Sequence, residues 1–118
     1  MSSPRYEPRS YCRPTEAFGH HGPIQWADAS RLTPTRRDQL GASKMQHRLA
    51  IAMRRAIEIG PGTVEAYAAE CGAKPAQISR KLRGDMIMKL EDIAAAEWHL
   101  GEGLRAAGWV GFPFDALD

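Results

Sequence analysis

The sequence predicts an all-α fold: a five-helix domain containing a helix-turn-helix, preceded by an extended arm rich in proline and arginine. Three observations carry that expectation. After Gly41, apolar residues recur at spacings of three and four, the period of a helix with one buried face. Thr63 to Gly84, TVEAYAAECGAKPAQISRKLRG, holds two short helical stretches separated by a glycine. Before Gly41, Pro4, Pro8, Pro14, Pro23 and Pro34 interrupt the chain at short intervals, and no helical or alternating period survives.

Residues 1–41 therefore read as an extended, partly disordered arm, charged by Arg5, Arg9, Arg13, Arg31, Arg36 and Arg37. Within it, Trp26 with Ala27, Ala29 and Leu32 fits one short helical turn docked on the domain that follows. Guanidinium groups on such an arm suit the duplex backbone or the narrow, negative minor groove.

Residues 42–108 form the domain. Helix one is expected over about Ser43 to Ile59, with Met45, Leu49, Ala52, Met53, Ala56 and Ile57 on one face and Lys44, Arg48, Arg54 and Arg55 mainly elsewhere. Gly60-Pro61-Gly62 stops it. Thr63 is a good N-cap for helix two, about Val64 to Cys71, and Glu65 lies in the first turn where the helix dipole favours an acid. Ala68 is small where two helices cross, Gly72 supplies a left-handed turn, and Ile78 anchors the next helix to the core. Pro75 suits a first helical position, so helix three runs from there to about Arg83, and Gly84 closes it. Helix four spans about Leu90 to Leu100, with Glu91 and Asp92 in its first turn and Leu90, Ile93, Ala94, Glu97 and Leu100 as a mostly apolar stripe. A short fifth helix is expected over Glu102 to Ala107. Residues 109–118 are an apolar tail carrying Trp109, Val110, Phe112, Phe114 and Leu117, which either covers the core or meets a second copy or another protein.

Composition narrows the function. At 118 residues with 43% apolar content, the chain has room for one domain. No apolar run approaches the roughly 20 residues that cross a bilayer, and no secretory signal is apparent, so the expected location is the cytoplasm, with no membrane partner. Two cysteines give no disulfide framework: Cys71 fits a buried free thiol, and no structural role is required of Cys12. His20 and His21 are adjacent and no CxxC or HxxxH spacing occurs, which argues against a metal site. Glu97 and His99 flank Trp98 but point to different helix faces, and the GPG at 60–62 is a helix stop, so neither catalytic residues nor a cofactor are expected. The net charge of +2 hides an asymmetry, since residues 44–89 carry nine Lys/Arg against four Asp/Glu and residues 90–118 one against six. The basic stretch coincides with the helix-turn-helix, and double-stranded DNA is the expected partner.

The stretch TVEAYAAECGAKPAQISRKLRGDMIMKLEDIAAAEWHLG resembles the phage-repressor, or XRE-type, helix-turn-helix family. Ala68, Gly72, Ile78, the pair Arg83-Gly84 and the LEDIAAA run closed by Leu100-Gly101 carry the resemblance, which covers about Ser43 to Gly101. It implies a five-helix, repressor-like DNA-binding domain, often dimeric, in a bacterial or phage-infected cell. It also implies that Pro75, Ala76 and Arg80 touch base edges, with Gln77 and Ser79 nearby. Pro75 and Ala76 stand where the family usually holds polar readers, and Lys81 stands where it is usually apolar, with Leu82 taking over the packing. Proline cannot donate and Ala76 offers only a methyl contact, so readout should rest on Arg80 against guanine and on Gln77. Lys74 and Lys89 occupy the N-cap places of helices three and four, where a cation opposes the dipole unless a phosphate docks there. Thr63, Lys81 and Arg83 complete the expected DNA-facing set. The expected function is that of a sequence-specific transcriptional regulator, a repressor occupying an operator. The alternative is a protein-interaction module, such as an antitoxin or phage-encoded modulator, acting through the arm or tail.

Overall fold

A computed structural model describes residues 6–110. The described chain is mostly helical, with α1 Pro34–Ile59, α2 Val64–Cys71, α3 Pro75–Leu82 and α4 Leu90–Ala106, and with one two-stranded antiparallel sheet, β1 Cys12–Arg13 and β2 Gln25–Trp26. α1 is the backbone of the core. It packs on α4, on α3 and on the N-terminal segment.

α1 begins well before Ser43. Thr33 accepts a hydrogen bond from the Arg36 N–H at 3.3 Å, and Pro34 follows at the first helical position, where its missing N–H costs nothing. The inward face continues through Leu40, Ser43, Gln46 and His47 to Leu49, Ala50, Met53 and Ile57. Polar residues at three consecutive inward positions hide the period from a reading of apolar residues alone. Met45, expected on that face, is 65% exposed. Ser43 fits the interior because its hydroxyl donates back to the Gln39 carbonyl at 2.7 Å.

The N-terminal segment is not an extended arm over residues 6–33. Phe18 and Cys12 are core residues, Cys12 pairs with Trp26 across the small sheet, and Phe18 meets both Trp26 and His47 edge to face. The Gly19 N–H donates to His47 Nδ1 at 2.8 Å, and Tyr11 donates to Gln39 at 2.7 Å. The Cys12 thiol donates to the Arg9 carbonyl at 3.3 Å, giving it the structural place the sequence did not suggest. These residues show no period because short 3-10 turns at Pro8–Tyr11, Thr15–Ala17 and Ala29–Arg31 and two-residue strands have none to show. The expected helical turn near Trp26 is the last of these turns, with Trp26 itself in β2.

The fifth helix is absent as a separate element among the described residues, because α4 runs unbroken to Ala106. Leu100 and Leu104 are both buried, so its inward stripe carries straight through Gly101 and Gly103. Gly103 is there for contact: a Cβ at that position would lie 2.9 Å from the Ala56 Cβ, so α1 and α4 cross through it. Beyond α4, Trp109 turns back, donates its indole N–H to the Glu97 carboxylate and packs on the core. Phe112, Phe114 and Leu117 of the expected apolar tail lie outside the described residues. Among the described residues no helix is long and apolar enough to cross a membrane.

Candidate nucleic-acid interface

α2 and α3 are short, so their termini decide their geometry. Thr63 caps α2 by accepting from the Ala66 N–H at 3.1 Å, and Tyr67 and Ala68 face the core. Burial, with the neighbouring Cys71, raises the Tyr67 phenol far above its ordinary range, so it packs as a neutral group. Cys71 is half-buried, and burial likewise raises its thiol. The helix ends in a Schellman turn: Gly72 adopts φ 67°, ψ 31°, and the Ala73 N–H reaches back to the Ala68 carbonyl at 2.9 Å. The chain is thereby delivered to Pro75, the first residue of α3.

Ile78 and Leu82 bury the inner face of α3. Its far end is held by Gln46 of α1, whose side-chain amide donates to the Lys81 and Met86 carbonyls, both at 2.8 Å, and accepts from the Met88 N–H at 2.9 Å. One buried amide thus fixes both the last turn of α3 and the loop leading to α4. Neither Gln46 nor His47 was identified from the sequence, although both fall on the inward period of α1.

The outer face of α3 is composed of Lys74, Pro75, Ala76, Gln77, Arg80 and Arg83, all exposed, with Ser79 half-buried at its edge. Ala76, Arg80 and Arg83 recur at four and three residues and share one stripe. α3 itself contains no acidic residue, and its N-terminus, at Lys74, has no side-chain cap. Thr63 is exposed at the start of α2, with its hydroxyl engaged in the cap. The stripe is therefore cationic and pinned from behind.

Two expected contacts do not join it. Lys81 turns toward α4, where its ammonium lies 2.9 Å from Asp92 Oδ1 and its side chain is 14% exposed. Because Ile78 and Leu82 point inward, position 81 falls on the flank that meets α4. Lys89 is exposed at the N-cap of α4, but its N–H donates to Asp92 Oδ2 at 2.8 Å. The positive end of α4 already faces a carboxylate of its own chain, which removes the reason for a phosphate to dock there.

The comparisons with family models, curated proteins and solved structures yield no match to this chain.

Proposed function

We propose that this chain is a sequence-specific double-stranded DNA-binding regulator of transcription, a repressor, in which α2, Gly72 and α3 act as a repressor-type helix-turn-helix. The observation that carries this reading is the outer stripe of α3: Gln77 and Arg80 stand exposed on an acid-free helix whose other face is locked by Ile78, Leu82 and Gln46. α3 lies in the major groove. Arg80 presents two parallel donors to guanine O6 and N7, Gln77 pairs with adenine N6 and N7, and Ala76 contacts a thymine methyl. Lys74 and Arg83 hold backbone phosphates at either end of α3.

Each bidentate contact discriminates by about 1–3 kcal/mol, less than one operator among many competing sites requires. Two copies on a two-fold site, in the cytoplasm of a bacterial or phage-infected cell, raise that discrimination. The testing experiment is a mobility shift on random-sequence duplex over a salt series. Binding at low salt that weakens linearly on a log-log plot supports the reading, and failure to bind at low salt rejects it.

A protein-interaction module is the second reading. It draws on Ile59 and Trp98, exposed large apolar side chains that line an open groove with Pro61 and Glu102 between the end of α1 and α4.

A further inference from the structure

Arg54 is a charged side chain in an unusual place. It sits on α1 between the N-terminal segment and the end of α3, half-buried, and its Nε is buried with no hydrogen-bond partner among the described residues. A buried donor of a charged group left unpaired is costly, and such groups ordinarily find a carboxylate or a carbonyl. What surrounds Arg54 is positive instead. The turn at Gly19, with φ +79°, wedges against it: a Cβ built on Gly19 would lie 3.4 Å from Arg54 Nε and would collide with the Leu82 carbonyl oxygen. His20 follows Gly19, and Arg83 follows Leu82, so both neighbours of that close approach are basic. Their fields act on one another. Arg83 adds to burial in lowering Arg54, and Arg54 adds to burial in lowering His20.

The carboxylates paired with the neighbouring arginines are committed to them. Asp85 lies 2.7 Å from the Arg9 guanidinium and 3.4 Å from Arg83, and Glu7 lies 3.3 Å from Arg9, so two acids are shared between Arg9 and Arg83 and neither pairs with Arg54. The cluster keeps a net positive charge whatever the protonation of His20.

We infer that Arg54, Arg83 and His20 form a phosphate clamp at the C-terminal end of α3, contributed jointly by α1, α3 and the N-terminal segment. Its ligand is a phosphate group carrying negative charge, for which a guanidinium is the best-matched donor. Because Gly19 closes off Nε, the half-buried Arg54 offers its terminal nitrogens, and the unpaired Nε keeps its charge uncompensated. Arg83 belongs both to the outer stripe of α3 and to this cluster, so a duplex lying along α3 brings its backbone to the clamp. That source of phosphate rests on the function proposed above, while the clamp chemistry does not. The N-terminal segment then serves recognition from a packed position: it closes the clamp around Arg54 and supplies His20.

The test uses the full chain, nitrogen-15 labelled, with the Arg54 Nε–Hε resonance and the His20 imidazole followed by NMR in two titrations, one with inorganic phosphate and one with a short random-sequence duplex. Both additions are expected to shift the Arg54 signal and raise the His20 pKa, because an anion offsets the repulsion from Arg54 and Arg83. Arg54→Gln is expected to weaken phosphate binding about tenfold, the effect of one lost charge-assisted hydrogen bond. Should that variant fail to fold, the exposed Arg83→Gln and His20→Gln carry the same test, with a comparable loss for the arginine and a smaller one for the histidine. Inorganic phosphate moving both signals while no duplex binds would uphold the clamp and reject the DNA reading. Duplex binding that leaves Arg54 and His20 unmoved would overturn the clamp and leave the DNA reading standing. No response to either ligand would overturn the clamp as well.

Discussion

Gln46 makes three hydrogen bonds from one buried amide; the Lys81 carbonyl it reaches also accepts from the Gly84 N–H, whereas the Met86 carbonyl and the Met88 N–H have no other partner among the described residues. Replacing it with leucine strands the Met86 carbonyl and the Met88 N–H and weakens the satisfaction of the Lys81 carbonyl. Gln46→Leu should therefore lower stability by about 2–4 kcal/mol in urea unfolding, since unsatisfied buried groups cost about 1–3 kcal/mol each and some will recover water. Arg80 is the opposite case, exposed and without a side-chain partner among the described residues. Arg80→Ala should leave stability within about 0.5 kcal/mol and weaken binding to a selected operator by about 1–3 kcal/mol, read as a change in Kd with an unchanged urea midpoint. His47 adds a pH dependence. Burial lowers its imidazole below the ordinary value, with Arg48, His21 and His20 acting in the same direction, and its Nδ1 must stay unprotonated to accept from Gly19. The unfolded chain binds the proton more readily, so this contribution is full at neutral pH and is lost as pH falls from about 6.5 toward the lowered folded value. His47→Gln, which can still offer an acceptor to the Gly19 N–H, should flatten the fall in melting temperature between neutral and mildly acidic pH. A fall as steep as that of the parent chain would assign the effect to other groups.

At the level of elements, the parts most legible in the sequence were those governed by local backbone chemistry. Thr63, Gly72 and Pro75 each specify a helix terminus through one hydrogen bond or one dihedral angle, and α2 and α3 begin and end where those residues place them. Exposure of Gln77, Arg80 and Arg83 followed from the inward spacing of Ile78 and Leu82. What escaped depended on long-range partners. Asp92 accepts from both Lys81 and the Lys89 backbone, and no local pattern distinguishes that pairing from two lysines awaiting phosphate. Lys74→Glu should therefore weaken duplex binding, whereas Lys89→Glu should change it far less. The sequence places Gly101 at the close of helix four and Gly103 in a fifth helix; both lie inside α4, yet only one of them faces another helix. A Cβ at Gly101 meets the flexible end of Arg105, while one at Gly103 meets Ala56. Gly101→Ala should stabilise by up to about 1 kcal/mol through helix propensity, and Gly103→Ala should destabilise by about 1–3 kcal/mol through overpacking. Thermal unfolding of the two variants would decide this, and equal shifts would contradict the crossing of α1 and α4 through Gly103.

Across the whole molecule, the division of charge along the chain is bridged where α3 meets its neighbours, Lys81 pairing with Asp92 and Arg83 with Asp85. The exposed stripe of α3 carries arginine and lysine, while Glu91 and Glu102 are exposed on α4. The N-terminal segment, whose lack of period suggested a loose arm, contributes Cys12 and Phe18 to the same core as α1 and α4. Its buried residues are few and irregularly spaced, which is why no window of sequence revealed them. The Arg9 N–H donates to the Gly84 carbonyl at 3.1 Å, and its guanidinium holds Asp85, so the segment also steadies the end of α3. The cationic stripe is thus a rigid surface, supported from α1 by Gln46 and from the N-terminal side by Phe18 and Arg9. The most direct measurement is the affinity of the full chain for random-sequence duplex across a salt series, with Arg80→Ala and Lys74→Glu beside it. Binding at low salt, a log Kd that rises linearly with log salt by about 0.9 per phosphate contacted, and a shallower slope for Lys74→Glu are the expected results. A chain that leaves the duplex unbound at low salt, or binds it with a slope and affinity untouched by either substitution, would contradict the assignment of α3 as the reading helix.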